Sequence, residues 1–322
     1  MKPSWCASLT SEAVTSCCGS MNAFPFIAGT HISYNGSISV CHPPIIDDCF
    51  CAFLVLRATC VADWMQSSNC QIPAAEPAKK IDLSKDLIDT CGTGGDNKNS
   101  FNISTATSIL CAACGLKVAK HGNKSITSKS GSSDILDSLR INIRLTDKEQ
   151  KQHLKKKNIC FLFAPLYHES LKKISELRKL LPFKTIFNLI GPLLNPTKLD
   201  FQLLGVSSKL NLETHALCLK RKVMKSSWVV HNLDGYDELT TTSPNLVYKI
   251  NGKKVFKNIT ITPEEAGLKY SKQEDLIGGT PDENAYLMKR LFEGETGSIR
   301  DNVLFNTAAC LVITKKVKNL RE

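Results

Sequence analysis

Between Asp89 and Asp134 the chain carries two clusters suited to holding a multiply charged anion. The first, Gly92-Thr93-Gly94-Gly95-Asp96, follows the short apolar run Leu87-Ile88. Its glycines accept positive φ and let backbone N–H groups come close to a phosphate. Asn102, Ser104 and Thr105 come next, where a helix should begin, because residues 106–114 are apolar helix material and Gly115 is placed to end it. A helix start collects unpaired N–H groups and partial positive charge, so an anion there is favoured. The second cluster, Lys120-His121-Gly122-Asn123-Lys124, follows a predicted strand over 116–119 and adds side-chain charge and donors. Two such loops suit a ligand with several phosphates. The first is not the dinucleotide fingerprint, since its third glycine is wrongly spaced, and not a Walker loop, since no Gly-Lys-Ser/Thr follows.

Positioning these loops takes alternating strands and helices, and from Leu87 onward the pattern supplies them. Ser132 and Ser133 can cap a helix over 134–139, and residues 159–164 read as an apolar strand stopped by Pro165. Residues 171–181 alternate charged and aliphatic side chains at helical spacing. Residues 185–189 read as a short strand or turn, and 191–196 as a loop. Strands over 201–206 and 228–231 flank a helix over about 210–224. Residues 245–256 read as a hairpin with Asn251-Gly252 as its two-residue turn. Thr280, Pro281 and Glu283 form a cap, a first-turn proline and a capping-box acid, so a helix starts there.

Composition bounds the function classes. The 322 residues are 42% hydrophobic and 22% charged, as in a soluble globular protein with one large α/β domain and a small one. The net charge of +11 comes from lysines scattered beyond Lys79, without an aromatic-interleaved basic motif, so a solvated surface explains it better than nucleic-acid binding does. The longest apolar run, residues 49–56, is far short of the roughly 20 residues a spanning helix needs, so no membrane association is expected. The 14 cysteines lack paired zinc-ligand spacings, and no apolar secretory segment follows Lys2. Free thiols in a reducing cytoplasm are the expectation. Residues 1–78 hold only Lys2 and Arg57 as basic side chains, and that composition shift separates a first region, 1–78, from a second, 79–322.

The glycine loop, Asn102-x-Ser104-Thr105 and Lys120-His121-Gly122-Asn123 together resemble the anthranilate phosphoribosyltransferases. Phe161 to His168, Arg178, the block from Thr185 to Pro196, and Gly235-Tyr236-Asp237-Glu238-Leu239-Thr240 are similar to that family's later blocks and stand in its order. The resemblance implies an α/β fold of the nucleoside phosphorylase/phosphoribosyltransferase kind: a small N-terminal α-helical domain, degenerate here, and a large α/β domain with a central sheet flanked by helices. It also implies transfer of the phosphoribosyl group of 5-phosphoribosyl 1-pyrophosphate (PRPP) to the amine of anthranilate, in tryptophan synthesis, by a homodimer without nucleic-acid or membrane partners. On matching positions Gly92, Gly95, Asp96, Ser100, Asn102, Ser104, Thr105, Lys120 and Ser132 would hold PRPP. Gly92, Asn123 and Arg178 would hold anthranilate, and Ser104, Asp237 and Glu238 would hold Mg²⁺.

These residue types fit those roles. Adjacent carboxylates are hard oxygen ligands suited to Mg²⁺, and an arginine can pair with a planar carboxylate through two parallel N–H bonds. His121 is not required as a base, because an aromatic amine is already a nucleophile at neutral pH. Lys124 replaces a usual arginine, Ser100 a usual threonine, and Leu181-Pro182-Phe183-Lys184 a usual Leu-Gly-x-Arg. A related pyrimidine nucleoside phosphorylase and a non-catalytic nucleic-acid-binding relative are the alternatives; the first would not need Arg178 or the Asp237-Glu238 pair, and the second should have lost phosphate or metal residues. Residues 49–57 are similar to a helix of the family's small domain, whereas 1–48 are broken by Pro25, Gly29, Gly36 and Pro43-Pro44 and are expected to be poorly ordered or foreign to the fold.

Overall fold

A computed structural model of the chain describes residues 79–124, 130–168 and 187–322. The expectations for 1–48 and 49–57, the composition boundary near 78, the helix over 171–181 and the position of Arg178 lie outside the described residues.

The first strand, β1 (Leu87–Gly92), leads through the glycine loop into helix α1 (Ile103–Ala113), and the chain returns as β2 (Lys117–Gly122). Helices α2 (Ser132–Ser138) and α3 (Asp147–Lys157) precede β3 (Ile159–Phe163), which runs straight into the single turn α4 (Ala164–Tyr167). After α5 (Phe187–Ile190) come β4 (Phe201–Gly205), α6 (Asn211–Arg221), β5 (Ser226–Asn232) and the pair β6 (Asn245–Asn251) and β7 (Lys254–Ile261). Helices α7 (Pro281–Phe292) and α8 (Ser298–Ile313) close the described chain. No helix among the described residues is long and apolar enough to cross a membrane.

The seven strands form one sheet in the order β3-β2-β1-β4-β5-β6-β7, parallel from β3 to β5 and antiparallel at β6 and β7. The chain winds outward from β1 in one direction and from β4 in the other, so a crevice opens at the carboxyl ends of these two neighbours, where open α/β sheets bind ligands. One face of the sheet (Ile88, Val118, Leu203, Trp228, Val230) packs against α1 and α8 through Cys111, Phe305, Ala309 and Ile313. The opposite face is covered by α6 through Leu212, Ala216 and Leu219 on Leu204 and Val229, and beside it by Leu154 of α3 on Ala119 and Leu162. Strands buried on both faces, such as β5, in which every residue is buried and Trp228, Val229 and Val230 form the apolar centre, are what a sheet covered on both sides demands.

The structure corrects several local expectations. The α2 helix begins at Ser132 itself with Gly131 as its cap, and Asp134 reaches back to accept from the Gly131 N–H at 3.0 Å. Pro165 not only ends β3 but also opens α4, since a proline lacks only a donor that a first helical turn leaves unused. Of the two readings of residues 185–189, strand or turn, the described part, Phe187–Ile190, is a helical turn. In the β6–β7 pair Asn251 faces Lys254, so the two-residue turn is Gly252-Lys253, one place later than expected, with Gly252 at φ +57° and β7 running on to Ile261. Helix α3 escapes the apolar pattern because its residues, Asp-Lys-Glu-Gln-Lys-Gln-His-Leu-Lys-Lys-Lys, bury only Gln150 and Leu154 and show almost no apolar stripe; its start and end are instead written in a Thr146–Glu149 capping box and three terminal lysines.

Val223, just beyond α6, sits at φ +53° and is exposed. A β-branched side chain opposes that left-handed conformation, which glycine adopts freely at a helix end. Val223→Gly should therefore stabilise the fold by roughly 1 kcal/mol, the relief of strain exceeding the extra chain entropy of glycine in the unfolded state. A higher denaturant midpoint at unchanged slope is the expected reading, and a lower midpoint would show that the valine packs better than its exposure suggests.

Candidate active site

The crevice between β1 and β4 is made by glycines in register. Gly92 pairs with Gly205 across the two strands, and over them lies the loop that carries Asp237 and Glu238. A Cβ on Gly205 would stand 1.5 Å from the Asp237 carbonyl oxygen, and one on Gly92 would stand 2.0 Å from Asp237 Oδ2. Gly92 is thus required for close approach rather than for positive φ; Gly94 and Gly95, at φ +71° and +72°, are the residues that use the left-handed region.

That geometry joins segments more than 130 residues apart. The Gly94 N–H donates to Asp237 Oδ2 at 2.6 Å, and the Ser104 N–H at the start of α1 donates to Glu238 Oε1 at 3.0 Å. Asp96 lies beside Asp237: burial and the Asp96 charge push the Asp237 carboxyl up, burial pushes Asp96 up, and Glu238 is raised well above its ordinary value by burial and then by Asp237 and Asp96. Beneath them Lys120, only 1% exposed, donates from Nζ to Thr90 O at 2.6 Å and to Ser104 Oγ at 3.3 Å.

Four buried asparagines hold the acidic loop in place, and the sequence reading missed all of them. Asn306 accepts from the Leu239 N–H at 3.2 Å and donates to its carbonyl at 2.7 Å, and Asn302 accepts from the Thr241 N–H at 2.9 Å. Asn245 makes the same two-sided contact with Thr240, and Asn232 donates to Asn245 and to Ser243 O. Asn302 and Asn306 are four apart on the buried side of α8. An amide at that spacing within an otherwise apolar stripe is the signal that could have found them.

The expected donor-site residues gather at this end of the sheet, in different roles. Asn102 is the cap of α1, its Oδ1 accepting from the Thr105 N–H at 3.2 Å, and Ser100 bridges to Ile277. Thr105 is fully buried and its hydroxyl has no hydrogen-bond partner, so it shapes the helix start from inside. Ser132 lies against Gly122, and the Asn123 carbonyl accepts from the Ser133 N–H at 3.4 Å, which brings the second loop to the start of α2. Lys124 pairs with Asp137 at 3.5 Å and Asp134 at 3.9 Å. His121 is held neutral, its pKa lowered to about 3 by burial and then by His168, whose ring lies 5.2 Å away. None of the cysteines described is in a disulfide.

The carboxylates test what cation could sit here. Among the described residues no three His, Cys, Asp or Glu side chains form a group that could hold a metal ion on its own. Among the described residues Asp96, Asp237 and Glu238 nevertheless crowd three acids together, with Lys98 and Lys120 beside them, and their hard donors suit a Mg²⁺ that keeps waters and takes its other ligands from phosphate.

Comparison with known proteins bears on the same residues. The model of the glycosyl transferase family, a/b domain, matches residues 84–322. The anthranilate phosphoribosyltransferase of Thermoanaerobacter sp. (strain X514) is 45% identical over 76% of this chain and 72% of its own length. That of Phenylobacterium zucineum (strain HLK1) is 46% identical over 73% and 69%. Among solved structures, the Thermus thermophilus enzyme of that name superimposes with a TM-score of 0.71 at 36% identity, covering 77% of this chain and 74% of that one. The Saccharomyces cerevisiae enzyme in complex with PRPP and Mg superimposes with a TM-score of 0.69 at 29% identity, over 76% and 69%.

Proposed function

We infer the chemistry from one premise: the chain belongs to the anthranilate phosphoribosyltransferases, within the glycosyl transferase family. It is a glycosyltransferase that moves the phosphoribosyl group of PRPP to the amine of anthranilate, releasing pyrophosphate, in tryptophan synthesis. The observation that carries this reading is the acidic loop closing on the glycine loop, with Gly94 N–H on Asp237 and Ser104 N–H on Glu238.

In this reading the glycine loop and the start of α1 face the diphosphate, where helix-end charge favours it. Asp96, Ser100, Asn102, Ser104, Thr105 and Ser132 shape that cradle, and Lys120 offsets its charge from below. Bound at Asp237, Glu238 and Ser104, Mg²⁺ would neutralise pyrophosphate as a leaving group. Gly92 and Asn123 line the acceptor side, and Arg178 pairs with the anthranilate carboxylate. A neutral His121 takes no proton, consistent with an amine that attacks unaided. A cytoplasmic homodimer is part of the same proposal.

Loss of anthranilate fluorescence on mixing the protein with PRPP and Mg²⁺ is the test; a folded protein that leaves anthranilate untouched, or that instead phosphorolyses a pyrimidine nucleoside, overturns the reading. The two substrates should separate by variant. Arg178→Ala should raise the anthranilate KM about 10- to 100-fold, the value of a charge-assisted pair of about 1.5–3 kcal/mol, with the PRPP KM nearly unchanged. Gly95→Val should instead raise the PRPP KM, because a β-branched residue resists φ +72°. Equal effects of both variants on both substrates would sink this division.

A further inference from the structure

Residues 191–195, which follow α5, are tied down one by one, each by a side chain from a different part of the fold. The His121 ring faces the Gly191 backbone, Gln202 Nε2 of β4 donates to Pro192 O at 2.7 Å, and Lys222 Nζ after α6 donates to Leu193 O. His168 Nε2 bonds Leu194 O at 2.8 Å. Asn195 is held by its side chain: Nδ2 donates to Asp89 Oδ2 at 2.9 Å and to Ala119 O at 2.9 Å, while Oδ1 accepts from the Thr197 N–H at 3.1 Å. Both amide hydrogens and the oxygen are therefore engaged.

Asp89 is the deepest of these anchors, with no exposed surface. Its other oxygen, Oδ1, accepts from the His121 N–H of β2 at 3.3 Å. One carboxylate thus receives an N–H from β2 and an N–H from the loop, and β1, β2 and residues 191–195 meet on it. An amide could not replace it, since two N–H groups point at two separate oxygens and an asparagine offers one acceptor and one donor there. The Lys120 charge moderates the cost of enclosing the carboxylate. Nothing in phosphate or metal binding uses Asp89, because it faces the α3 and α6 side of the sheet whereas Thr90 and Lys120 face α1.

We propose that Asp89 is a positioning residue of the acceptor site, which through Asn195 and the His121 backbone holds residues 191–195 as a rigid wall against the end of β2 that carries Asn123. The inference rests on the anthranilate reading above, since it takes the β2 end as the acceptor side. Rigid walls of this kind raise affinity by removing the ordering cost from the binding step. Asp89→Asn should raise the anthranilate KM about tenfold while the PRPP KM changes less than twofold, because β1 remains paired on both sides and the glycine loop is untouched. Asn195→Ala should do the same, and the double variant should be no worse than the more damaged single variant, since both remove one contact.

Wild-type protein is assayed first with anthranilate, PRPP and Mg²⁺, and absence of turnover there rejects the acceptor reading itself. In active protein, effects that multiply in the double variant, or equal rises in both KM values, overturn the positioning role. Amide hydrogen exchange gives an arm independent of activity: in Asp89→Asn residues 191–197 should exchange faster while the β1–β4 ladder keeps its protection, and unchanged exchange in the loop rejects the proposal. Should Asp89→Asn not fold, Asn195→Ala and Asn195→Ser carry the same KM and exchange comparisons from the loop side.

Discussion

Asp237→Asn combined with Glu238→Gln should lower kcat/KM by about 1,000-fold, roughly 4 kcal/mol of barrier, while leaving the fold intact. The amide oxygens can still accept from the Gly94 and Ser104 N–H groups, so the loop keeps its place. What disappears is the pair of charges that would bind Mg²⁺. A chelator should abolish wild-type activity and added Mg²⁺ restore it, whereas the double variant should respond to neither. A second reading comes from stability. Burial raises the folded-state pKa of Asp96, and burial together with neighbouring acids raises those of Asp237 and Glu238, so the folded chain binds more protons than the unfolded one above pH ~4. Their contribution is full below the unfolded carboxylate range and is lost as pH rises through the raised values. At pH 8 without metal, the double variant should consequently melt at a higher temperature than wild type. Mg²⁺ should raise the wild-type midpoint and not that of the variant. Normal turnover by the double variant would remove Asp237 and Glu238 from the metal site.

Gly205→Ala should be damaging out of proportion to one methyl group. Its Cβ would meet the carbonyl oxygen of Asp237 at 1.5 Å and the carbonyl carbon at 2.3 Å, both backbone atoms. Neither partner can yield cheaply: β4 is paired on both sides, and the loop is pinned through Leu239, Thr240 and Thr241 by Asn306, Asn245 and Asn302. Overpacking against fixed backbone costs about 3 kcal/mol or more. The expected result is a lower melting temperature, activity reduced at least 100-fold (about 2.7 kcal/mol), and no stabilisation by Mg²⁺. Gly92→Ala provides the contrast, because its two nearest neighbours, at 2.0 and 2.7 Å, are side-chain atoms of Asp237 that can turn away, with the Asp237 carbonyl oxygen at 3.0 Å. That variant should lose less stability than Gly205→Ala while still losing activity. A Gly205→Ala protein as stable and active as wild type would show that the loop floats above the sheet.

Local chemistry was legible from residue order alone wherever it depends on near neighbours. The glycine loop followed by a capped helix, the Thr280–Pro281–Glu283 start, and the alternation of strands and helices that makes an α/β fold all follow from spacing within a few residues, because caps, φ limits and side-chain periodicity are short-range effects. The family blocks could likewise be read in order, Asp237 and Glu238 among them. Tertiary structure decided what those blocks do to one another. That Gly92 serves close approach rather than positive φ depends on Gly205 lying in register beside it, and strand register is fixed by packing of the whole sheet. Asn232, Asn245, Asn302 and Asn306 read as ordinary polar residues until burial makes each unpaired amide costly and their partners become visible. Asp89 is the sharpest case: as a residue it is one acid before a turn, and only the fold brings His121 and Asn195 to its two oxygens.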